Sequence, residues 1–198
     1  MEFQEFPKMA RLSRDIIVTE KIDGTNAQIL IGEDGSIKAG SRTRWITPQD
    51  DNFGFAAWVE KNHDELLALG PGRHFGEWWG RGIQRGYGLQ ERKFSLFNAI
   101  RWAAHDQEPQ AIPSLDPRAA PKMQQRPPKC CDVVPVLIQG PFRTDAVDAC
   151  INLLRERGSY AAPGFMKPEG VIVFHIAGNV GFKKTIEHDG LPKSLVGA

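Results

Sequence analysis

The chain has 198 residues and a net charge of +1, with 41% apolar and 25% charged residues. That length suits one ordinary domain, and the balance is that of a globular chain, not a disordered one. Near-neutrality argues against a protein that coats nucleic acid indiscriminately, so any nucleic-acid footprint must be local. No apolar run approaches the roughly 20 residues that span a bilayer. The opening Met-Glu-Phe-Gln-Glu-Phe-Pro-Lys lacks the basic and apolar regions of a signal peptide. The expectation is a soluble, cytoplasmic protein with no membrane partner. Cys130, Cys131 and Cys150 form an odd set without Cys-x-x-Cys spacing, which argues against a disulfide framework and a zinc site. The histidines are scattered and form no ligand-like cluster.

In chain order, Asp15–Thr19 and Asn26–Ile31 read as strands, and Asp34-Gly35 signals a hairpin into a third, Ser36–Gly40. Phe53–Leu69 predicts one helix, with Phe55, Val59, Leu66 and Leu69 near one face and Gly70 as its stop. Arg73–Trp79 and Phe94–Ile100 are the next strands. From about residue 105 to 129 six prolines stand among Gln, Ala and charges, which predicts a long surface loop rather than a domain linker. A strand follows at Val133–Ile138, then a helix capped by Thr144 that carries Val147, Ile151 and Leu154 and ends at Gly158. Strands at Gly170–Ile176 and Val180–Ile186 close the chain. Strands that mostly neighbour one another in sequence, with two helices interspersed, predict an α+β domain of mainly antiparallel sheets with flanking helices.

Two basic groups are local candidates for a nucleic-acid footprint: Arg81, Arg85, Arg92 and Lys93, then Arg118, Lys122, Arg126 and Lys129. The bland reading of each is a solvated charged surface. Gly80-Arg81-Gly82-Ile83-Gln84-Arg85-Gly86-Tyr87-Gly88 interleaves glycine with arginine and can let backbone approach a phosphodiester chain. It lacks the Gly-Lys-Ser/Thr ending of a P-loop, and a flexible hairpin turn explains it equally well.

The sharpest motif is Glu20-Lys21-Ile22-Asp23-Gly24-Thr25-Asn26, which puts Lys21 at a strand end beside a tight turn. A plain turn lysine is the competing reading, since Asp-Gly is a common hairpin dipeptide. Lys21-x-Asp23-Gly24-x-Asn26 nevertheless resembles the signature of the covalent nucleotidyltransferases: ATP-dependent DNA ligases, RNA ligases and capping enzymes. Five further segments resemble that superfamily's elements, in its order. They are Ser41-Arg42-Thr43-Arg44, Phe75-Gly76-Glu77-Trp78-Trp79-Gly80, Phe94-Ser95-Leu96-Phe97-Asn98-Ala99-Ile100, Glu169-Gly170-Val171-Ile172-Val173 and Phe182-Lys183-Lys184. The resemblance runs from about Phe6 to Lys184. The wording around Lys21, with Phe6-Pro7-Lys8-Met9, is most similar to phage-type RNA-repair ligases.

The resemblance implies an ATP-grasp-like nucleotidyltransferase (adenylation) domain and an ATP-dependent polynucleotide ligase, with Lys21 carrying AMP covalently. It implies that Arg42 and Lys183 face the phosphates, that Glu77 accepts from ribose hydroxyls, and that Glu169 contacts a Mg²⁺ or Mn²⁺ ion. Glu20 and Asn26 are carried over as nucleotide contacts. Phe97 is the expected cover for one adenine face, with Phe94 as the alternative. Lysine acts as a nucleophile only when neutral, and neighbouring cations favour that form. The last motif departs from the family, whose two lysines usually stand one residue apart. Lys183 and Lys184 are adjacent and must point to opposite faces of a strand; Lys183 is carried over and Lys184 is left without a role. Asn98 stands where the family often has aspartate. The 14 residues after Lys184 leave no room for an OB-fold or a C-terminal helical domain, so a single nucleotidyltransferase domain over 1–198 is expected. RNA, or a nicked duplex containing RNA, is the expected partner. A minimal DNA ligase and a nucleotide- or RNA-binding module without turnover are the alternatives.

Overall fold

The computed structural model describes residues 2–6, 9–112 and 122–190. Of the features read from the sequence, Pro7, Lys8, four residues of the proline-rich stretch (Pro113, Pro117, Arg118, Pro121) and the Lys122 side chain lie outside the described residues. Twelve strands and three α-helices build the described chain. A four-stranded antiparallel sheet contains β1 (Asp15–Lys21), β10 (Val136–Pro141), β11 (Gly170–His175) and β12 (Val180–Thr185), in the order β10-β1-β11-β12. A six-stranded sheet contains β2 (Thr25–Ile31), β3 (Ile37–Ser41), β4 (Trp45–Ile46), β5 (Gly72–Gly80), β6 (Arg92–Leu96) and β9 (Cys131–Val133). Its order is β4-β3-β2-β5-β6-β9, and only β6 and β9 pair in parallel. The short pair β7 (Ala111–Ile112) and β8 (Lys122–Met123) stands apart within the proline-rich stretch. The mainly antiparallel α+β expectation therefore holds.

Each of the two larger sheets has one face covered by helix. Ala27, Ile29, Trp78, Phe94 and Leu96 of the six-stranded sheet pack on α1 (Phe55–Lys61) through Phe55, Ala56 and Val59. Phe55, Trp58, Trp78 and Phe94 form one aromatic cluster, with ring centroids 5.1–5.7 Å apart. Ile16, Val18, Val171 and Val173 of the four-stranded sheet pack on α3 (Thr144–Arg157) through Val147, Cys150, Ile151 and Leu154. A third cluster of Ile22, Trp79, Tyr87, Val134 and Ala162 sits where the two sheets meet. Among the described residues no helix is long and apolar enough to cross a membrane.

Four differences from the sequence reading have local causes. The helix expected over Phe53–Leu69 is broken into α1, α2 (His63–Leu66) and a 3₁₀ turn at Leu67–Leu69. Asn62 makes the break, because its side-chain amide donates to the Trp58 carbonyl (2.7 Å) and competes with the helix ladder. The single strand expected over Val133–Ile138 is two strands in different sheets. Pro135 lies between them, with no N–H to give to a ladder, and its carbonyl accepts from the Glu20 N–H at 2.9 Å. The aromatic strand stops at Leu96, because the Asn98 side chain accepts from the Arg101 N–H (3.0 Å) and turns the chain. Thr144 is the first helical residue of α3 and Arg143 is the cap, without a side-chain capping bond.

Candidate active site

Lys21 is the last residue of β1 and Asn26 the second of β2, yet these strands belong to different sheets. The Asp23-Gly24 turn therefore carries the chain from one sheet to the other instead of closing a hairpin. Gly24 is required by closeness, since a Cβ there would stand 2.6 Å from the Trp78 carbonyl oxygen and 2.7 Å from the Trp79 Cβ. Asp23 is held from two directions. Its N–H donates to the Tyr87 hydroxyl at 2.8 Å, and its carboxylate accepts from Arg85 Nε at 3.0 Å. Arg85 also donates to the Lys167 carbonyl, 2.9 Å away.

Between the uncovered faces of the two sheets lies a cavity of about 950 Å³. Strand alternation explains its lining. Ile16 and Val18 point to α3, so Ile17, Thr19 and Lys21 point the other way, joined by Ile172, Phe174 and Lys183 of the neighbouring strands. The six-stranded sheet contributes Asn26 and Glu77, which are directly opposed in register. Arg42, just beyond β3, and Phe97, just beyond β6, complete the rim.

Lys21 Nζ forms an ion pair with Glu169 Oε2 at 2.6 Å, and Glu169 is buried. Glu77 is buried too, and accepts from the Gly24 N–H (3.1 Å) and from Asn26 Nδ2 (3.0 Å). Burial raises the Glu77 carboxyl to about 7, opposed by the Lys21 charge and the Gly24 N–H, while Glu169 adds to the rise. Burial likewise lifts the Tyr87 hydroxyl above its usual range.

The structure brings Lys21, Asn26, Arg42, Glu77, Phe97, Glu169 and Lys183 to this one region. Phe94 is buried in the core under α1 while Phe97 is exposed on the rim, so of the two only Phe97 can meet a ligand there. Adjacency separates the two lysines as strand geometry requires. Lys183 lines the cavity, and Lys184 pairs with Asp148 on α3. Glu20 borders the cavity, but its carboxylate is turned away into the protein. There it accepts from the Ser159 hydroxyl (2.6 Å) and from the N–H groups of Tyr160 (2.7 Å) and Ala161 (3.0 Å). Burial raises its pKa and these bonds act against that rise.

Sequence reasoning missed Arg85, Tyr87 and Ser159 as supports of the motif. The glycine-rich segment is no flexible turn, since Ile83 and Tyr87 are buried. Three residues of the first basic group are tied to the protein: Arg85 as above, Arg92 to the Arg81 and Phe53 carbonyls, and Lys93 to Asp132. In the second basic group Arg126 donates to the His105 carbonyl at 2.7 Å. Of this second group Arg118 and the Lys122 side chain lie outside the described residues, and Arg126 and Lys129 are exposed. The one available signal was the pair of residues, Arg85 and Tyr87, set among glycines that permit tight folding.

Two sheets facing each other across a cavity, with a lysine at the strand end and glutamates beneath it, define a ligase-type nucleotidyltransferase domain. The RNA ligase family model matches residues 14–184, and the chain belongs to that family. Among solved structures, a Naegleria gruberi RNA ligase mutant with ATP and Mn superposes with a TM-score of 0.55 at 16% identity, covering 89% of this chain and 51% of that one. The Naegleria gruberi RNA ligase with PPi gives 0.55 at 18% identity, covering 87% and 50%. A mutant of the same ligase with AMP and Mn gives 0.53 at 17% identity, covering 87% and 49%. At these identities the likeness is one of fold, and this chain spans about half the length of those proteins. A search of curated protein sequences finds no significant match.

Proposed function

We propose that this chain is the nucleotidyltransferase part of an ATP-dependent RNA ligase that joins a 3′-hydroxyl to a 5′-phosphate through a lysyl-adenylate. The observation that carries the reading is the placement of Lys21, at a strand end inside the cavity with its ammonium on a buried carboxylate. In the first step the Lys21 amine attacks the α-phosphorus of ATP. An N–P bond forms, the bond to pyrophosphate breaks, and the amine proton leaves to solvent. AMP then passes to the RNA 5′-phosphate and frees Lys21, and attack by the 3′-hydroxyl on that phosphate releases AMP.

The remaining residues serve this chemistry by position. A lysine is nucleophilic only as the free amine, so the Lys21–Glu169 pair is a resting arrangement that opens when the triphosphate enters. Lys183 and Arg42 supply the positive charge for the phosphates. Phe97 offers an aromatic face to adenine, and Ile17 and Ile172 an apolar wall. Glu77 and Asn26 suit the ribose hydroxyls, while Glu20 holds the end of β1 in place through its bonds to Ser159, Tyr160 and Ala161. Among the described residues no three His, Cys, Asp or Glu gather into a metal cage. Mg²⁺ is commonly held by one or two carboxylates plus substrate phosphates, and Glu169 fits that mode for Mg²⁺ or Mn²⁺. Such an ion, when bound, offsets the charge of the triphosphate.

The test is a denaturing gel of protein mixed with Mg²⁺ and α-labelled ATP, after pyrophosphate pretreatment to clear any AMP already attached. Acid-labile label on the wild type, absent from Lys21→Ala and absent with GTP, is expected. No label on the pretreated wild type overturns the reading. Sealing assays on nicked duplexes then test the substrate: sealing of an all-DNA nick alone rejects RNA.

A further inference from the structure

The face of the six-stranded sheet that holds Asn26 and Glu77 runs from the cavity lining, which includes Arg73, Phe75 and Phe97, out to Trp45 beyond it, and it carries large aromatics that no core explains. The registers place Trp45 opposite Gly40, Gly40 opposite Gln28, and Gln28 opposite Phe75. Phe97 follows Phe75 in the same row, and its N–H donates to the Phe75 carbonyl at 3.0 Å. Directly opposed residues share a face, so Trp45, Gly40, Gln28 and Phe75 form one straight row across four strands, which Phe97 extends from just beyond the end of β6. At about 4.8 Å per strand the row is roughly 19 Å long. Its aromatics are open: Trp45 is 45% exposed, Phe75 53% and Phe97 41%. The opposite face of this sheet already fills the core under α1.

The row is built, not incidental. Arg73 lies over the Trp45 ring, with Cζ 5.2 Å from its centroid, and donates to the Gln28 side chain. Gln28 Nε2 donates to the Ser41 carbonyl at 3.0 Å, which fixes the amide between the two aromatics. Gly40 leaves the space for this, because a Cβ there would stand 2.8 Å from Gln28 Cγ and 3.1 Å from the Trp45 ring. The charge beside the row is one-sided. Lys38, Arg73 and the adjoining Arg42 are basic, while the carboxylates on this face stand off the row: Glu77 deep in the cavity and Asp132 on β9, paired with Lys93. Flat aromatic faces with adjacent cations suit unpaired nucleobases and their phosphates.

We infer that Phe75 and Trp45, with Arg73, form a stacking face for unpaired nucleotides of an RNA strand whose reactive end lies in the cavity. The inference rests on the ligase reading for its polarity, because the row starts at Phe97 in the cavity lining and ends at Trp45, outside that lining. One base stacks on Phe75 and another, further along the strand, on Trp45, three strand spacings or about 14 Å away, while Arg73 meets the backbone between them. A strand wholly paired in a duplex does not offer its base faces, so the surface discriminates between unpaired and paired substrate next to the joint.

The experiment compares wild type, Trp45→Ala, Trp45→Phe and Phe75→Ala by fluorescence anisotropy. The probes are a 5′-phosphorylated single-stranded RNA of about ten nucleotides and a blunt RNA duplex of the same length. Lysyl-adenylate formation and elution volume on a sizing column are measured in parallel. Loss of one stacking contact weakens single-strand binding about five- to a hundredfold. That loss is expected for both alanine variants, with Trp45→Phe close to wild type, duplex affinity little changed, and adenylation by Trp45→Ala intact. Unaltered single-strand affinity in both alanine variants overturns the inference. So does an equal loss for duplex and single strand. A shift of the wild type alone to a larger species, without any RNA effect, also overturns it and assigns the row to a protein contact. If wild type fails to adenylate while the alanine variants still lose single-strand binding, the stacking face stands and the ligase reading falls.

Discussion

Glu77→Gln changes the pH dependence of stability in a direction the structure fixes. Glu77 is buried against Gly24 and Asn26, and burial moves its carboxyl from an ordinary 4.5 to about 7. Below pH 4.5 the side chain is protonated in both the folded and the unfolded chain, and no penalty is felt. Between 4.5 and about 7 the unfolded chain gives up the proton while the folded chain keeps it, so stability falls as pH rises. Above about 7 both forms are ionised and the folded state carries the whole cost, about 3 kcal/mol. Glutamine matches the protonated form in size and charge and escapes that cost. Thermal unfolding followed by circular dichroism at pH 5 and pH 8.5 measures the difference. The variant and wild type are expected to differ by under about 1 kcal/mol at pH 5, since the unfolded carboxyl is only part-ionised there. At pH 8.5 the variant is expected to melt roughly 6–12 °C higher. A gap that is the same at both pH values, or a variant less stable at pH 8.5 than wild type, refutes the argument.

Two further substitutions probe the turn and the last strand. Gly24→Ala forces a methyl against the Trp78 carbonyl, so it is expected to cost about 1–3 kcal/mol of stability and to abolish lysyl-adenylate label, by unfolding and labelling assays; full label with unchanged stability contradicts it. Lys183→Ala is expected to lose the label at unchanged melting temperature, whereas Lys184→Ala breaks an exposed pair with Asp148, worth about 0.2–1 kcal/mol, and retains the label. Equal loss from both variants contradicts the assignment of opposite faces.

How far the sequence reached depended on whether a feature is local. The Lys21–Asn26 motif and the Asp34-Gly35 hairpin were readable because backbone needs at a turn select their residues within a few positions. Gly35 takes φ +80 as such a turn requires. The opposite outlook of Lys183 and Lys184 followed from strand periodicity alone. The failures lay where one residue changed the direction of the chain. Pro135 splits an apolar run between two sheets, and Asn62 and Asn98 act through side-chain bonds that compete with regular structure. The supports of the site were invisible for another reason. Glu20 meets Ser159 and Asp23 meets Arg85 across 139 and 62 residues of sequence, and no spacing rule reaches so far; Glu169, 148 residues from Lys21, was reached through the family resemblance.

The route of the chain between its sheets has a mechanical consequence. Among the described residues the chain passes from one sheet to the other twice, once through residues 22–24 and once through residues 134–135. Ile22 and Val134 pack in the same small cluster, so the two crossings run side by side. A rotation that widened the gap between the sheets would turn about this double strap and the Arg85–Lys167 and Tyr87–Phe165 contacts beside it. Lys21 sits next to the axis and moves least, while Phe97 and Lys183 swing on the two leaves. On the ligase reading, a nucleotide would be admitted and gripped by the far edges of the cleft while the Lys21 amine stays nearly still.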